Sequence, residues 1–189
     1  ESGGNIVIDA PSTANPSRFV AGSGKLNLVL WTRSVDEGQA GWISMADTNV
    51  TTGGGHVWMG GGAAAANTWN GLTVGRGEAT TWSGDKVALY VYNSNITTGG
   101  GKVALSGLGW YTGTTWVNWS TGTNIDGSTI TTGAGSIDLT GRVDGRYYNG
   151  GYGLEIANSK LVSTTGAITL RGTVASITAV GLDGYQRVI

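Results

Sequence analysis

Asn95-Ile-Thr-Thr-Gly-Gly-Gly-Lys-Val-Ala-Leu-Ser-Gly107 decides the fold, because it returns. Close copies are Asn49-Val-Thr-Thr-Gly-Gly-Gly-His-Val-Trp-Met-Gly-Gly61 and Thr129-Ile-Thr-Thr-Gly-Ala-Gly-Ser-Ile-Asp-Leu-Thr-Gly141. Weaker ones are Arg18-Phe-Val-Ala-Gly-Ser-Gly-Lys-Leu-Asn-Leu28 and Lys160-Leu-Val-Ser-Thr-Thr-Gly-Ala-Ile-Thr-Leu-Arg-Gly172. Each copy reads as a short strand, a glycine turn and a second strand with apolar residues at alternate positions. A turn-flanked unit repeated five times makes this a repeat protein.

Working outward from the turns, three strand stations emerge per repeat. The station after the turn holds Leu26 and Leu28, Val57 and Met59, Val103 and Leu105, Ile137 and Leu139, then Ile168 and Leu170. The station before it holds Phe19, Val50, Ile96, Ile130 and Leu161. A middle station holds Ile6 and Ile8, Ile43 and Met45, Leu89 and Val91, Ile125, then Leu154 and Ile156. Both turn-flanking stations advance by 31, 46, 34 and 31 residues, so length varies only between the post-turn and middle strands. Three short strands, one fixed turn and one variable loop per circuit describe an all-β parallel β-helix, a solenoid of about five coils. Right-handed crossovers prevail in parallel sheets, so a right-handed coil is expected.

The short turns Asp47-Thr48-Asn49, Asn93-Ser94-Asn95, Gly127-Ser128-Thr129 and Asn158-Ser159-Lys160 place amide and hydroxyl side chains at equivalent positions. Stacked, these predict a ladder of side-chain hydrogen bonds.

Composition agrees. The chain has 189 residues, 35 of them glycine, 12% charged, no cysteine and a net charge of -1. No basic field is available for nucleic acid and no apolar run is long enough to insert in a membrane. Without cysteine there is neither a disulfide framework nor a thiolate zinc site. Strand-like segments at both ends, Ile6–Ile8 and Arg187–Ile189, suggest that residues 1–189 form a single β-helix module taken from a longer chain.

The strings Gly24-Lys-Leu-Asn-Leu-Val-Leu-Trp31, Gly41-Trp-Ile-Ser-Met45 and Asn49-Val-Thr-Thr-Gly-Gly-Gly-His-Val-Trp-Met-Gly-Gly-Gly62 resemble the repeat region of filamentous-haemagglutinin-type bacterial adhesins. Gly135-Ser-Ile-Asp-Leu-Thr-Gly141 and Gly153-Leu-Glu-Ile156 fit the same pattern. The resemblance covers about Gly24 to Gly172 and implies a stalk at a bacterial surface or in a secreted protein. The secretion domain that opens such adhesins has no counterpart here.

Parallel β-helices also carry polysaccharide-degrading enzymes, which need paired carboxylates across a cleft. Asp138 and Glu155 occupy outward positions of neighbouring strands, but the equivalent positions are Ala104, Thr169 and Ser44. No second histidine or cysteine joins His56 for metal binding or nucleophile activation, and its equivalents Lys25, Lys102 and Ser136 predict an exposed side chain. The Asp-Gly dipeptides at 126, 144 and 183 read as turns, and the threonine file of Thr51, Thr97 and Thr131 with Thr52, Thr98 and Thr132 is too short for an ice-binding face. No catalytic residue, metal or cofactor is expected.

Aromatics are the unusual feature: eight tryptophans and seven tyrosines against one phenylalanine. Trp31, Trp69, Trp82, Trp110, Tyr111, Trp116, Trp119, Tyr147, Tyr148 and Tyr152 fall in or beside the variable loop. Extruded on one side, they would form an aromatic flank for a cell-surface glycan or protein. Folded back, they would cover the side of the solenoid. The expectation is an extracellular structural and adhesive module, with end-to-end assembly into a filament as the alternative.

Overall fold

The structure, a computed structural model, describes residues 6–10, 14–32, 41–62, 67–75, 78–81, 87–111, 120–145 and 151–174, with only the backbone at positions 111 and 145. The first coil comprises β1 (Ile6–Ile8), β2 (Ser17–Val20) and β3 (Leu28–Thr32), and the second β4 (Ile43–Ala46), β5 (Thr48–Thr51) and β6 (Val57–Gly61). An insertion follows, carrying β7 (Asn67–Trp69), β8 (Leu72–Val74) and β9 (Ala79–Thr81). The third coil is β10 (Val87–Tyr92), β11 (Asn95–Thr97) and β12 (Val103–Tyr111). The fourth is β13 (Ser120–Asp126), β14 (Thr129–Gly133) and β15 (Ile137–Gly145), and the fifth β16 (Gly151–Ala157), β17 (Lys160–Ser163) and β18 (Ile168–Val174).

Like strands of successive coils pair in parallel, giving three sheets ordered β1-β4-β10-β13-β16, β2-β5-β11-β14-β17 and β3-β6-β12-β15-β18. The fold is therefore an all-β parallel solenoid, without helix among the described residues. Five stacked strands along each sheet, with β9 added beside β12 in the third, make four inter-coil steps, or about four turns.

Alternation drives the core. Ile43 and Met45 pair with Leu89 and Val91, Val50 with Ile96, and Val103 and Leu105 with Ile137 and Leu139. All are at most 1% exposed and form one apolar column. Thr123 shares that column in register with Leu89 and Leu154. It is accommodated because its hydroxyl donates to the Thr140 carbonyl at 2.7 Å.

The turn ladder is present. Ser94 Oγ accepts the Thr48 amide, Ser128 Oγ the Ser94 amide and Ser159 Oγ the Ser128 amide, each at 3.0 Å. The same hydroxyls donate to the carbonyls of Tyr92, Asp126 and Ala157 at 2.7–2.9 Å. Before each sits a residue in the left-handed region: Asp47, Asn93, Gly127 and Asn158, with φ between 46° and 58°. Beside them Asn95 donates its amide to Asn49 at 3.0 Å.

Two expectations need correction. In the first coil it is Leu28 and Leu30, not Leu26 and Leu28, that pair with Val57 and Met59. The step there is 29 residues (57 − 28), because the turn after Val20 runs two residues longer than its later counterparts. The threonine file also divides. Thr51, Thr97 and Thr131 face outward, whereas Thr52, Thr98 and Thr132 are fully buried and donate to the carbonyls of Gly55, Gly101 and Gly135 at 2.5–2.6 Å.

The third glycine of each turn is dictated by stacking rather than by φ. A Cβ at Gly101 would overlap the Gly55 carbonyl, and one at Gly135 the Gly101 carbonyl. A similar constraint closes the neck from which the variable segments leave: a Cβ at Gly107 would overlap the Gly122 carbonyl, and one at Gly141 that of Gly153. β12 and β15 continue as strand past this neck, so the start of each variable segment is ordered sheet.

Candidate functional site

The insertion settles the fate of the first aromatics. β7 and β8 form an antiparallel hairpin, and β9 returns to pair with β12 at Gly107–Gly109, beyond the point where β6 leaves it. Leu72, Val74 and Trp69 of the hairpin cover Trp31 and Trp58, both under 10% exposed, to make a small second core outside the sheet. Trp31 Nε1 donates to the Gly62 carbonyl at 3.2 Å. Here the chain folds back on the solenoid side, with Trp31 buried in this second core and Trp69 packed against it, partly exposed. Trp58 belongs with them and was missed, because it lies in a repeat strand rather than a loop.

Trp110 is half-buried on the outward face of β12, in register with Asp144. Its amide donates to the Thr81 hydroxyl at 3.2 Å. Beside it Arg142 bridges Glu78 at 3.4 Å and Asp144 at 3.5 Å. Burial raises the Glu78 carboxyl above its ordinary range, and the Arg142 guanidinium opposes that shift. Of the other expected flank residues, Trp82, Trp116, Trp119, Tyr147 and Tyr148 lie outside the described residues, as does the Tyr111 side chain.

His56 is not the exposed side chain expected. It is half-buried, its ring meets Trp69 edge-on at 5.6 Å, and its Nδ1 accepts the Lys102 amide at 2.9 Å. Burial, then Lys102 and Lys25, lower its pKa below 6.5. Its own amide donates to Asn27 Oδ1 at 2.9 Å, so this column of side chains serves the backbone of the next coil.

A second aromatic surface lies on the outward face of the β1-β4-β10-β13-β16 sheet. Tyr90 and Tyr92 alternate with the core residues Leu89 and Val91, and their rings lie 5.7 Å apart at 26°. Ser44 and Ala46 flank them on one side, Asn124 and Asp126 on the other. Glu155 follows one coil further, in register with Asn124. Asn124 Nδ2 donates to Glu155 Oε2 at 2.8 Å, and Asn158 Nδ2 to Asp126 Oδ1 at 3.2 Å. Burial first and Asp126 second raise the Glu155 pKa, and the same causes lead in raising that of Tyr90. The alternation Leu89-Tyr90-Val91-Tyr92 is the sequence signal of this surface, and it lies in a repeat strand and not in the variable loop.

Beyond this face, a cavity of about 380 Å3 opens at the last coil, lined chiefly by Tyr152, Leu154, Glu155, Ile156 and Leu170. Among the described residues no three His, Cys, Asp or Glu side chains cluster as a metal site, and no helix is long and apolar enough to cross a membrane. Compared with protein families, curated proteins and solved structures, the chain finds no significant match.

Proposed function

We propose that the chain is a structural and adhesive repeat module of a bacterial surface or secreted protein, a stiff spacer whose flank meets a glycan or protein outside the cell. The observation that supports this reading is the continuous register. Residue for residue, the post-turn strands pair from β3 to β18, and one apolar column runs through the coils, with a hydroxyl ladder beside it from the second coil to the fifth. Each coil adds about 4.8 Å of length. Such a rod transmits load through backbone hydrogen bonds and needs no ligand to hold its shape. The resemblance to filamentous-haemagglutinin-type repeats points the same way. Catalysis has less support: Glu78 and Asp144 are engaged by Arg142, and Glu155 and Asp126 by amides on neighbouring strands of one sheet, not facing each other across a cleft.

The test joins two assays. Beads coated with the protein should adhere to glycan-bearing cells, and incubation with a panel of plant, algal and bacterial polysaccharides should release no reducing ends or unsaturated products. Product release would overturn the reading in favour of a β-helix enzyme.

A second reading, end-to-end assembly into a filament, is favoured by the last coil. Ile156, Ile168 and Leu170 are 36–49% exposed there, although their equivalents in the interior coils are buried. Concentration-dependent growth in light scattering would support it, and a monomer at high concentration would exclude it.

A further inference from the structure

We propose that the Tyr90–Tyr92 face binds an uncharged sugar ring of an oligosaccharide, stacked on the tyrosines and hydrogen-bonded by Asp126 and Glu155. The inference rests on the adhesive reading and gives it a site and a ligand class, on a different sheet from Trp110.

The first support is shape. The two near-parallel rings belong to one strand, and Tyr92 is 36% exposed. On the side of the second coil their neighbours are Ser44 and Ala46, too small to cover them. The face of a tyrosine is apolar and its edge carries a hydroxyl, which suits the alternation of C–H and O–H groups around a sugar ring. An acyclic polyol or a flat aromatic ligand would match only one of those two features.

The second support is the placement of acceptors. Asp126 is the strand neighbour of Tyr92, and Glu155 lies two strands from Tyr90. Two strand spacings, about 9.6 Å, accommodate a disaccharide lying across the coils. Each carboxylate is held by one oxygen, Glu155 by Asn124 and Asp126 by Asn158. Among the described residues, Glu155 Oε1 and Asp126 Oδ2 have no partner, so each keeps an acceptor free for a ligand hydroxyl. Held this way, the acceptors lose little rotamer freedom when the ligand arrives.

The third support is charge. The outward face of this sheet carries Asp126 and Glu155 and, among its described residues, no lysine or arginine. Sialic acids, uronic acids and sulfated sugars would meet two carboxylates without a compensating cation. Neutral oligosaccharides are the class that fits.

The test is a glycan array carrying neutral, sialylated, uronic-acid and sulfated oligosaccharides, probed with the whole chain. Variants are Tyr90→Ala/Tyr92→Ala, Asp126→Asn and, as a control on another face, Lys102→Ala, each checked by circular dichroism. Wild type and Lys102→Ala should bind neutral glycans, with at least tenfold weaker binding by the tyrosine double variant. Should the double variant misfold, Asp126→Asn, which alters only an outward carboxylate, should still weaken binding about fivefold. Neutral-glycan binding that survives both changes would overturn the site while leaving the adhesive reading intact. Preference for acidic glycans would overturn the ligand class. Silence of the wild type across the array would overturn glycan recognition altogether and leave the spacer.

Discussion

His56 looks in sequence like a lone imidazole after a glycine turn, and the neighbouring coil decides its chemistry. Because Nδ1 accepts the Lys102 amide, that nitrogen must be unprotonated in the folded chain. Burial and the two flanking lysines lower its pKa from 6.5. The unfolded chain therefore binds the extra proton first as pH falls. Its contribution to stability is present above pH 6.5 and is lost between 6.5 and the lower folded value. The melting-temperature difference between wild type and His56→Gln should shrink from pH 8 to pH 5. Glu78 and Glu155, whose raised values act in the opposite direction near and above pH 4.5, are common to both proteins and cancel. A gap independent of pH would mean that the ring titrates alike in both states. His56→Ala at pH 8 should cost about 1 kcal/mol, since one backbone donor loses its acceptor. In the true register the first-coil equivalent of His56 is Asn27, whose Oδ1 accepts the His56 amide in the same way, whereas alignment on the glycine turns puts Lys25 there and hides the shared role.

Turns were the most legible elements, and the reason is stereochemical. A residue before each short turn must take positive φ, which confines it to Asp, Asn or Gly, and the next must offer a hydroxyl to the coil beside it. Both demands leave marks in a single sequence. Ser128 accepts the Ser94 amide and is 1% exposed, so Ser128→Ala would leave a buried donor unpaired. Urea unfolding should show a loss of about 1–3 kcal/mol. Ser128→Thr, matching Thr48 in the second coil, should recover most of it. The register of the first coil was not legible, because Leu26, Leu28 and Leu30 alternate alike and only the turn length selects the pair that enters the column. The neck was legible only as a recurrence: Gly61, Gly107, Gly141 and Gly172 close successive copies, and only the stacked coils show that Gly141 is fixed by the carbonyl of Gly153. Gly141→Ala should lower the melting temperature by several degrees, a shift that a flexible loop would not produce.

In a solenoid each coil touches only its neighbours, so one chemical change has different consequences at different heights. Leu139 and Leu170 belong to the same ladder, in register with each other and with Leu105. Leu139 is fully buried between two coils, whereas Leu170 is 49% exposed at the last one. Leu139→Asp would place an unpaired charge in the middle of the column and should abolish folding, as should Leu105→Asp. Leu170→Asp can turn its carboxylate to water, so its unfolding midpoint should stay close to that of wild type. It would also introduce repulsion at the surface formed with Ile156 and Ile168, where β16, β17 and β18 are the final strands of their sheets among the described residues. Strands at such an edge are templates for a further strand, and a second copy of the chain offers β1, β2 and β3 in the matching parallel arrangement. Sedimentation velocity from low to high concentration separates the two modes of action. If copies stack end to end, wild type should form a series of larger species and Leu170→Asp should remain monomeric. If the module is a spacer within a longer chain, both should sediment alike, because burial of the last coil then depends on residues contiguous with it and not on a second copy.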